Sequence, residues 1–334
     1  MIQYTDCDLE AIKILDDFLP GKIFDAHMHI SPYPFAGADR FGIEDYNRDT
    51  LPIFSERYLR CAALLAPVEE LKERECQQRA VSFLEEQLDM FADSVGSVIV
   101  RPEESYEQIS SRVKHPGIRG LKCYHRYAAV QNTYKADVSE YLSGESLAFA
   151  NDREMPVTLH LVKDRALSDP ENMRQVKEIA RNFPRVKLIL AHCARAFAAR
   201  TVIESVTELV PYENVFFDFS AICESPAMIA VLGKIGASRC MWGSDYNVSL
   251  MLGKAISLGD SFYWINEKDI LSFSKSAAVR PRHIIVENLM AMREACTLMG
   301  LCAKAIEDVF YNNAVCVFNC ERTTKRCVNA GKND

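Results

Sequence analysis

The strongest constraint on this chain is a strict alternation of element types. Eight short, largely apolar runs fall at 24–30, 61–65, 95–100, 118–124, 156–162, 186–192, 215–219 and 239–243. Segments with helical spacing lie between most of them, at 68–91, 103–113, 138–151, 170–182, 197–209 and 226–235. Most of the runs are continuously apolar, as strands covered on both faces must be. Repeated strand–helix succession over 334 residues predicts an α/β fold whose parallel strands close into a (β/α)₈ TIM barrel. The competing architecture, an open doubly wound sheet, calls for a glycine-rich phosphate turn after an early strand. No GxGxxG is present. Around the barrel, the pattern predicts an N-terminal helix over 6–19 and a long irregular stretch over 31–50. It also predicts an insertion after the eighth strand at 250–280, C-terminal helices over 283–299 and 303–318, and a frayed polar tail at 321–334. With no repeat, low-complexity tract or linker, 1–334 reads as one domain.

Composition removes several function classes. The chain is 49% hydrophobic and 25% charged, ordinary for a globular protein with ample core. Its formal net charge is −7 and its basic residues are scattered, so no nucleic-acid footprint is expected. No apolar run is long enough to span a bilayer. The opening ten residues are polar and acidic, unlike a secretory signal. Twelve cysteines without a CxxC pair read as reduced thiols in a cytoplasmic protein rather than a structural zinc site.

The chemistry gathers where the strands end. In Phe24-Asp25-Ala26-His27-Met28-His29-Ile30, Asp25, His27 and His29 alternate with apolar residues, so the three share one strand face. Two buried imidazoles side by side are costly unless something pairs them, and a divalent metal is the simplest partner. In a (β/α)₈ barrel, functional residues lie at the C-terminal strand ends. Reading those ends adds Lys122 on the fourth strand, His160 on the fifth, His192 on the sixth and Asp245 on the eighth. Four of the seven histidines therefore close barrel strands. Singly, His160 and His192 read equally well as hydrogen-bonded core histidines, and Asp245 as a helix cap. His115, His125 and His283 fall away from strand ends. Nitrogen and oxygen ligands suit zinc, with manganese, iron or nickel as alternatives.

The segments Asp25-Ala26-His27-Met28-His29, Leu190-Ala191-His192, Trp242-Gly243-Ser244-Asp245-Tyr246 and Asn312-Asn313-Ala314 together resemble the amidohydrolase superfamily. The resemblance is to its amidohydrolase-related branch, which contains aminocarboxymuconate semialdehyde decarboxylase, resorcylate-type decarboxylases and lactonases. It runs from Phe24 to Phe318. It implies that His27, His29, His160 and Asp245 hold one divalent metal, with His192 beside it as the catalytic histidine. Binuclear members of the superfamily carboxylate a fourth-strand lysine to bridge two metals; here Lys122 is expected to meet substrate instead. Asn247 and the Cys193-Ala194-Arg195 run depart from the branch, which often carries proline after the last-strand aspartate and aromatic residue, and a glycine pair after the sixth-strand histidine. These departures leave the ligand set intact and bear on the substrate.

The implied activity is hydrolysis of an ester, lactone or amide bond of a small molecule through a metal-activated water. Asp245 would take the proton, and His192 would orient the water or polarise the carbonyl. The alternative is non-oxidative decarboxylation of an aromatic or unsaturated acid with the same ligands. Isomerisation is a further possibility, since fold and metal site do not dictate reaction, whereas retention of every expected ligand type argues against a barrel that only binds. Arg195 and Arg126, with Arg101, are candidate clamps for a substrate carboxylate. Tyr33, Phe35 and Trp242 are candidate apolar walls. The expected partner is a small-molecule substrate, with neither nucleic acid nor membrane and with homo-oligomerisation left open.

Overall fold

The computed structural model describes residues 2–259, 261–273 and 279–320. Eight parallel strands follow one another around a single sheet in chain order: β1 (Lys22–Ile30), β2 (Tyr58–Leu65), β3 (Val95–Ile99), β4 (Ile118–Cys123), β5 (Pro156–Leu159), β6 (Lys187–Leu190), β7 (Val215–Asp218) and β8 (Cys240–Met241). The (β/α)₈ expectation holds. Closure between β8 and β1 runs through backbone hydrogen bonds: Ala26 N–H to the Trp242 carbonyl (3.0 Å), Asp245 N–H to the His27 carbonyl (2.7 Å) and His29 N–H to the Tyr246 carbonyl (2.6 Å). That seam needs Gly243, because a Cβ there would lie 2.8 Å from His27 Cβ and 3.1 Å from His27 N. Asp25 Oδ1 reinforces it, accepting the N–H groups of His27 (3.0 Å) and Ser244 (2.9 Å).

Helix starts follow local chemistry. Thr5 and Asp8 form a reciprocal capping box at Asp6–Asp16. Asp169 accepts the Glu171 and Asn172 N–H groups at Pro170–Asn182, with Pro170 in the first turn. Elsewhere the observed elements are shorter than expected. The 68–91 segment divides into a 3₁₀ turn at Glu69–Lys72 and a helix at Arg74–Met90, and 138–151 into a 3₁₀ turn at Val138–Glu140 and a helix at Gly144–Asp152. The 197–209 helix is reduced to a turn at Arg200–Ile203 and a 3₁₀ turn at Val206–Leu209. Conversely, the stretch expected to be irregular over 31–50 contains a helix at Ile43–Phe54. Gly42 N–H donates to Asp45 Oδ2 and Ile43 N–H to Gln87 Oε1, so one local and one tertiary partner supply its start.

The insertion carries an antiparallel hairpin, β9 (Lys254–Leu258) with β10 (Ser261–Ile265), then a helix at Glu267–Phe273. The C-terminal helices are Ile284–Leu298 and a run from Ala303 to Val317 with a π-helical turn at Asp308–Asn312. Their side chains pack back on the barrel: Trp242 Nε1–H donates to Asn288 Oδ1 at 2.8 Å, and the Trp242 ring stacks on Phe310. No helix among the described residues is long and apolar enough to cross a membrane. The expected tail at 321–334 lies outside the described residues.

Candidate metal centre and active site

β1 brings His27 and His29 to the C-terminal mouth of the barrel, both buried. The backbone bonds that close β8 on β1 set Asp245 opposite them, in a left-handed conformation (φ 61°). His29 Nε2 lies 3.2 Å and His27 Nε2 3.6 Å from Asp245 Oδ1. These three donors fall within one cluster of metal-binding size. Such a set of two imidazole nitrogens and a carboxylate fits a divalent transition metal. The buried Nδ1 atoms of His29 and His160, which have no hydrogen-bond partner among the described residues, fit neutral rings held for another role. His160 follows β5 but lies outside the three-donor cluster. Its ring centroid is 5.1 Å from His192 and 4.6 Å from Tyr124.

His192 follows β6 in an unusual turn. His192, Cys193, Ala194 and Arg195 are all left-handed, with φ of 56°, 51°, 60° and 62°, although none is glycine. Each such residue costs on the order of 1 kcal/mol. The turn explains why β6 ends at Leu190, two residues before the expected His192 end. It places both His192 and Arg195 among the cavity-lining residues.

The seventh strand end supplies a residue that the sequence reading missed. Buried Asp218 accepts from His27 Nδ1 at 2.9 Å, from the His192 N–H at 3.0 Å and from the Ser220 N–H at 3.1 Å. His192 Nδ1 in turn lies 3.0 Å from the Ser220 carbonyl. A carbonyl accepts only, so His192 carries its proton on Nδ1 and presents Nε2 as a lone pair. By the same logic, Asp218 fixes the His27 proton on Nδ1 and leaves Nε2 facing Asp245. The signal was present: an acid in the last position of an otherwise apolar strand.

Electrostatics agree with a neutral His27. Burial, with the Lys122 charge, lowers His27 to about 3 against the opposing pull of Asp218 and Asp245. Burial also lowers His29, and it lowers His160 well below its ordinary value with help from His192 and Lys122. Burial alone would raise the Asp245 carboxyl, but His192, His29 and His27 hold it at about 2. Asp218 is likewise held far below the usual carboxylate range; burial opposes this, and His27 and His192 overcome it. The chain thus keeps neutral imidazoles beside ionised carboxylates. Lys122, fully buried, has Nζ 3.1 Å from His27 Nε2. Burial lowers it to about 8, partly offset by Asp218 and Asp245.

A cavity of about 260 Å³ opens over this cluster, lined on its inner side by His29, Lys122, His160, His192 and Asp245. Tyr124, His125, Tyr134, Arg195, Phe35, Phe197, Phe262 and Trp264 complete much of its wall. A larger groove of about 450 Å³ runs over the Pro170–Asn182 helix and contains none of the site residues. Of the expected clamps, only Arg195 lines the cavity. Arg126 is exposed and pairs with Glu69 at 3.7 Å; Arg101 donates to the Lys72 carbonyl and pairs with Glu103. Of the expected apolar walls, Phe35 packs on His29 (5.6 Å). Tyr33 instead donates its hydroxyl to the Cys76 carbonyl, and Trp242 is core. His125, to which sequence position assigned nothing, lines the cavity; His115 and His283 pair with Asp89 and Asp8 away from it.

Comparison with known proteins places this architecture. Residues 24–319 match the amidohydrolase family pattern. An L-fucono-1,5-lactonase of Burkholderia ambifaria is 25% identical over 186 residues, covering 51% of this chain and 59% of the lactonase. The chain therefore spans less than two thirds of that relative's length. An amidohydrolase from Burkholderia multivorans, solved with bound zinc, superposes with a TM-score of 0.58 at 15% identity, covering 90% of this chain and all of the other. The 5-carboxyvanillate decarboxylase of Novosphingobium aromaticivorans, solved with manganese and 4-hydroxy-3-methoxy-5-nitrobenzoic acid, gives 0.57 at 12% identity, covering 89% and 96%. The two superpositions establish the shared barrel, and with the family match over most of its length, this chain belongs to the amidohydrolase family of enzymes.

Proposed function

We propose that this enzyme is a metal-dependent hydrolase cleaving an ester, lactone or amide bond in a small, carboxylate-bearing molecule. The observation that carries the reading is the pairing of an ionised Asp245 with the proton-accepting face of His192 over one cavity. A divalent cation held by His27, His29 and Asp245, with His160 as the fourth residue, supplies Lewis acidity and eases deprotonation of a water. Zinc is the ion favoured by this donor set, and manganese, iron and nickel are accepted by the same donors.

The side chains do the remaining work. Asp245, ionised at neutral pH, accepts the proton of the attacking water. His192 orients that water through its Nε2 lone pair. Lacking a proton there, it does not polarise the substrate carbonyl, one of the two roles expected of it. Asp218 holds the His27 ring, and the Ser220 carbonyl the His192 ring, in the required tautomers. Lys122 at the cavity floor donates to a substrate oxygen, and Arg195 receives the carboxylate. The weak lactonase relative supports C–O cleavage. The alternative, non-oxidative decarboxylation, is favoured by one feature: Lys122, lowered to about 8, is a proton donor at neutral pH in the right place to protonate carbon.

A screen of lactones, esters, amides and aromatic acids, run on the parent enzyme and on Asp245→Asn and His192→Asn, tests the proposal. Both variants are expected to stay folded. Loss of a general base should lower the rate by roughly 10²–10⁴-fold in Asp245→Asn, and His192→Asn should keep its metal while slowing. Unchanged turnover of a lactone, ester or amide by Asp245→Asn overturns the assignment. Turnover confined to carboxylic acids with release of carbon dioxide establishes the alternative.

A further inference from the structure

The hairpin inserted after β8 is built to face the cavity with one side only. In β10, Phe262 and Trp264 share a face by strand periodicity, and both line the cavity, while Ser261 and Tyr263 between and beside them are exposed. Two contacts fix the hairpin over the barrel mouth. Ser257 donates from its N–H (3.3 Å) and its hydroxyl (2.8 Å) to Glu224 Oε2, in the segment after β7. At its base, Gly253 (φ 137°) allows an approach no side chain permits, since a Cβ would meet the Ile265 carbonyl oxygen at 1.9 Å.

The face so presented is aromatic and continuous with the chemistry. Phe262 and Trp264 each lie 5.0 Å from Phe197, and Phe197 lies 5.4 Å from the His192 ring. The Phe262 and Trp264 planes meet at 89°, so the slot is a right-angled corner rather than a pair of parallel walls. At its edge stands Arg195, its guanidinium 5.1 Å over the Phe262 ring and one N–H on the Lys163 carbonyl. Among the described residues Arg195 forms no ion pair. A half-buried guanidinium without an anion, stacked on an aromatic wall, is arranged to receive a planar carboxylate from inside the cavity. A sugar-like ring, by contrast, would press its hydroxyls against Phe262, Trp264 and Phe197 with few partners.

We infer that the hairpin of β9 and β10 is the specificity element of this enzyme, and that Phe262 and Trp264 with Arg195 select a flat, conjugated ring bearing a carboxylate. The inference rests on the proposed site only in taking this cavity as the substrate cavity. It suits an unsaturated lactone acid and an aromatic acid equally, so it holds for either reaction. A volume of about 260 Å³ is at the small end for ligand sites, which limits the guest to about one ring.

Binding rather than turnover tests it. Benzoate, cyclohexanecarboxylate and benzamide are titrated into the holoenzyme by calorimetry, with quenching of Trp264 fluorescence as a second readout. Benzoate is expected to bind about three- to tenfold more tightly than its non-planar counterpart, the range of aromatic contacts, and benzamide to bind weakest. Phe262→Ala should remove the planar preference while leaving carboxylate dependence. Arg195→Gln should weaken both acids about tenfold or more and erase the advantage over benzamide; Arg195→Lys should recover part of it. Trp264→Phe, which keeps a wall, guards against a Phe262→Ala variant that misfolds, and is expected to retain the preference while losing the quenching. Equal binding of benzoate and cyclohexanecarboxylate by the parent, or a preference undiminished in a folded Phe262→Ala, overturns the inference. The same titration on Asp245→Asn separates the two proposals: a failed hydrolase assignment leaves the planar preference standing, and a failed slot leaves Asp245 chemistry intact.

Discussion

Replacing Asp218 by asparagine probes the least conspicuous part of the site. The carboxylate is fully buried and takes four donors: His27 Nδ1, the His192 N–H, and the N–H and hydroxyl of Ser220. Asparagine keeps one acceptor oxygen. If that oxygen stays on the two backbone N–H groups, the amide NH₂ faces His27 Nδ1, where two donors cannot coexist. The imidazole must then move its proton to Nε2, which removes the lone pair facing Asp245, or lose its bond altogether. One charge-assisted hydrogen bond is worth about 1.5–3 kcal/mol, so the fold survives in a protein of this size. The effect on metal binding is larger in consequence: losing such an orienting partner lowers affinity by about 10–100-fold, or about 1.4–2.8 kcal/mol. The assay is competition against a chromogenic chelator across a range of free zinc, alongside activity. Asp218→Asn should lose metal at chelator concentrations the parent tolerates, and excess metal should restore part of its rate. Ser220→Ala, which removes the hydroxyl beside Asp218 and the two Nδ1 atoms but keeps the Asp218–His27 hydrogen bond, should lose less metal than Asp218→Asn. Parental metal affinity in Asp218→Asn would refute the tautomer argument.

Two further outcomes follow from the geometry. Gly243→Ala drives a Cβ to 2.8 Å from His27 Cβ; overpacking of this kind costs about 1–3 kcal/mol, so thermal unfolding should move several degrees lower and metal retention should fall with it, whereas Gly144→Ala, with open space at its Cβ, should do neither. The pH dependence is set by histidines buried neutral: His125 and His27 are lowered to about 4 and about 3, chiefly by burial, and His29 and His160 are lowered too. Below the ordinary histidine value near 6.5 the unfolded chain binds protons that these rings refuse, so the stability they contribute is present above pH 6.5 and drains away as pH falls toward 4 and below. Thermal unfolding of the metal-free protein from pH 8 to pH 4 should show it, and a flat profile would count against the buried neutral rings.

Much of this was legible because strand periodicity and barrel topology act on single residues. His27 and His29 at every second position of an apolar run can only share a face, and strand ends of a parallel barrel can only meet at one mouth; hence His160, His192, Lys122 and Asp245 converge from sites far apart in the chain. Asp218 escaped because one acid in a four-residue strand carries no periodic signal, and its role appears only when His27 is brought to 2.9 Å. Arg126 and Trp242 show the reverse: a position next to a strand end says nothing of direction, and the chain sends one to Glu69 and the other into the core. The cavity's actual tryptophan, Trp264, lies in an insertion whose docking depends on Glu224 and Gly253, contacts with no local pattern. The helix at Ile43–Phe54 was hidden for a similar reason, its start being completed by Gln87 from 44 residues away.

The central claim, that His27, His29 and Asp245 form a divalent metal centre, is tested most directly by elemental analysis of the purified protein and of its His27→Ala/His29→Ala variant. The account predicts close to one equivalent of a transition metal in the parent and almost none in the variant, because two of the proposed ligands are gone. A parent that carries no metal, and gains no activity when zinc or manganese is added, would contradict it.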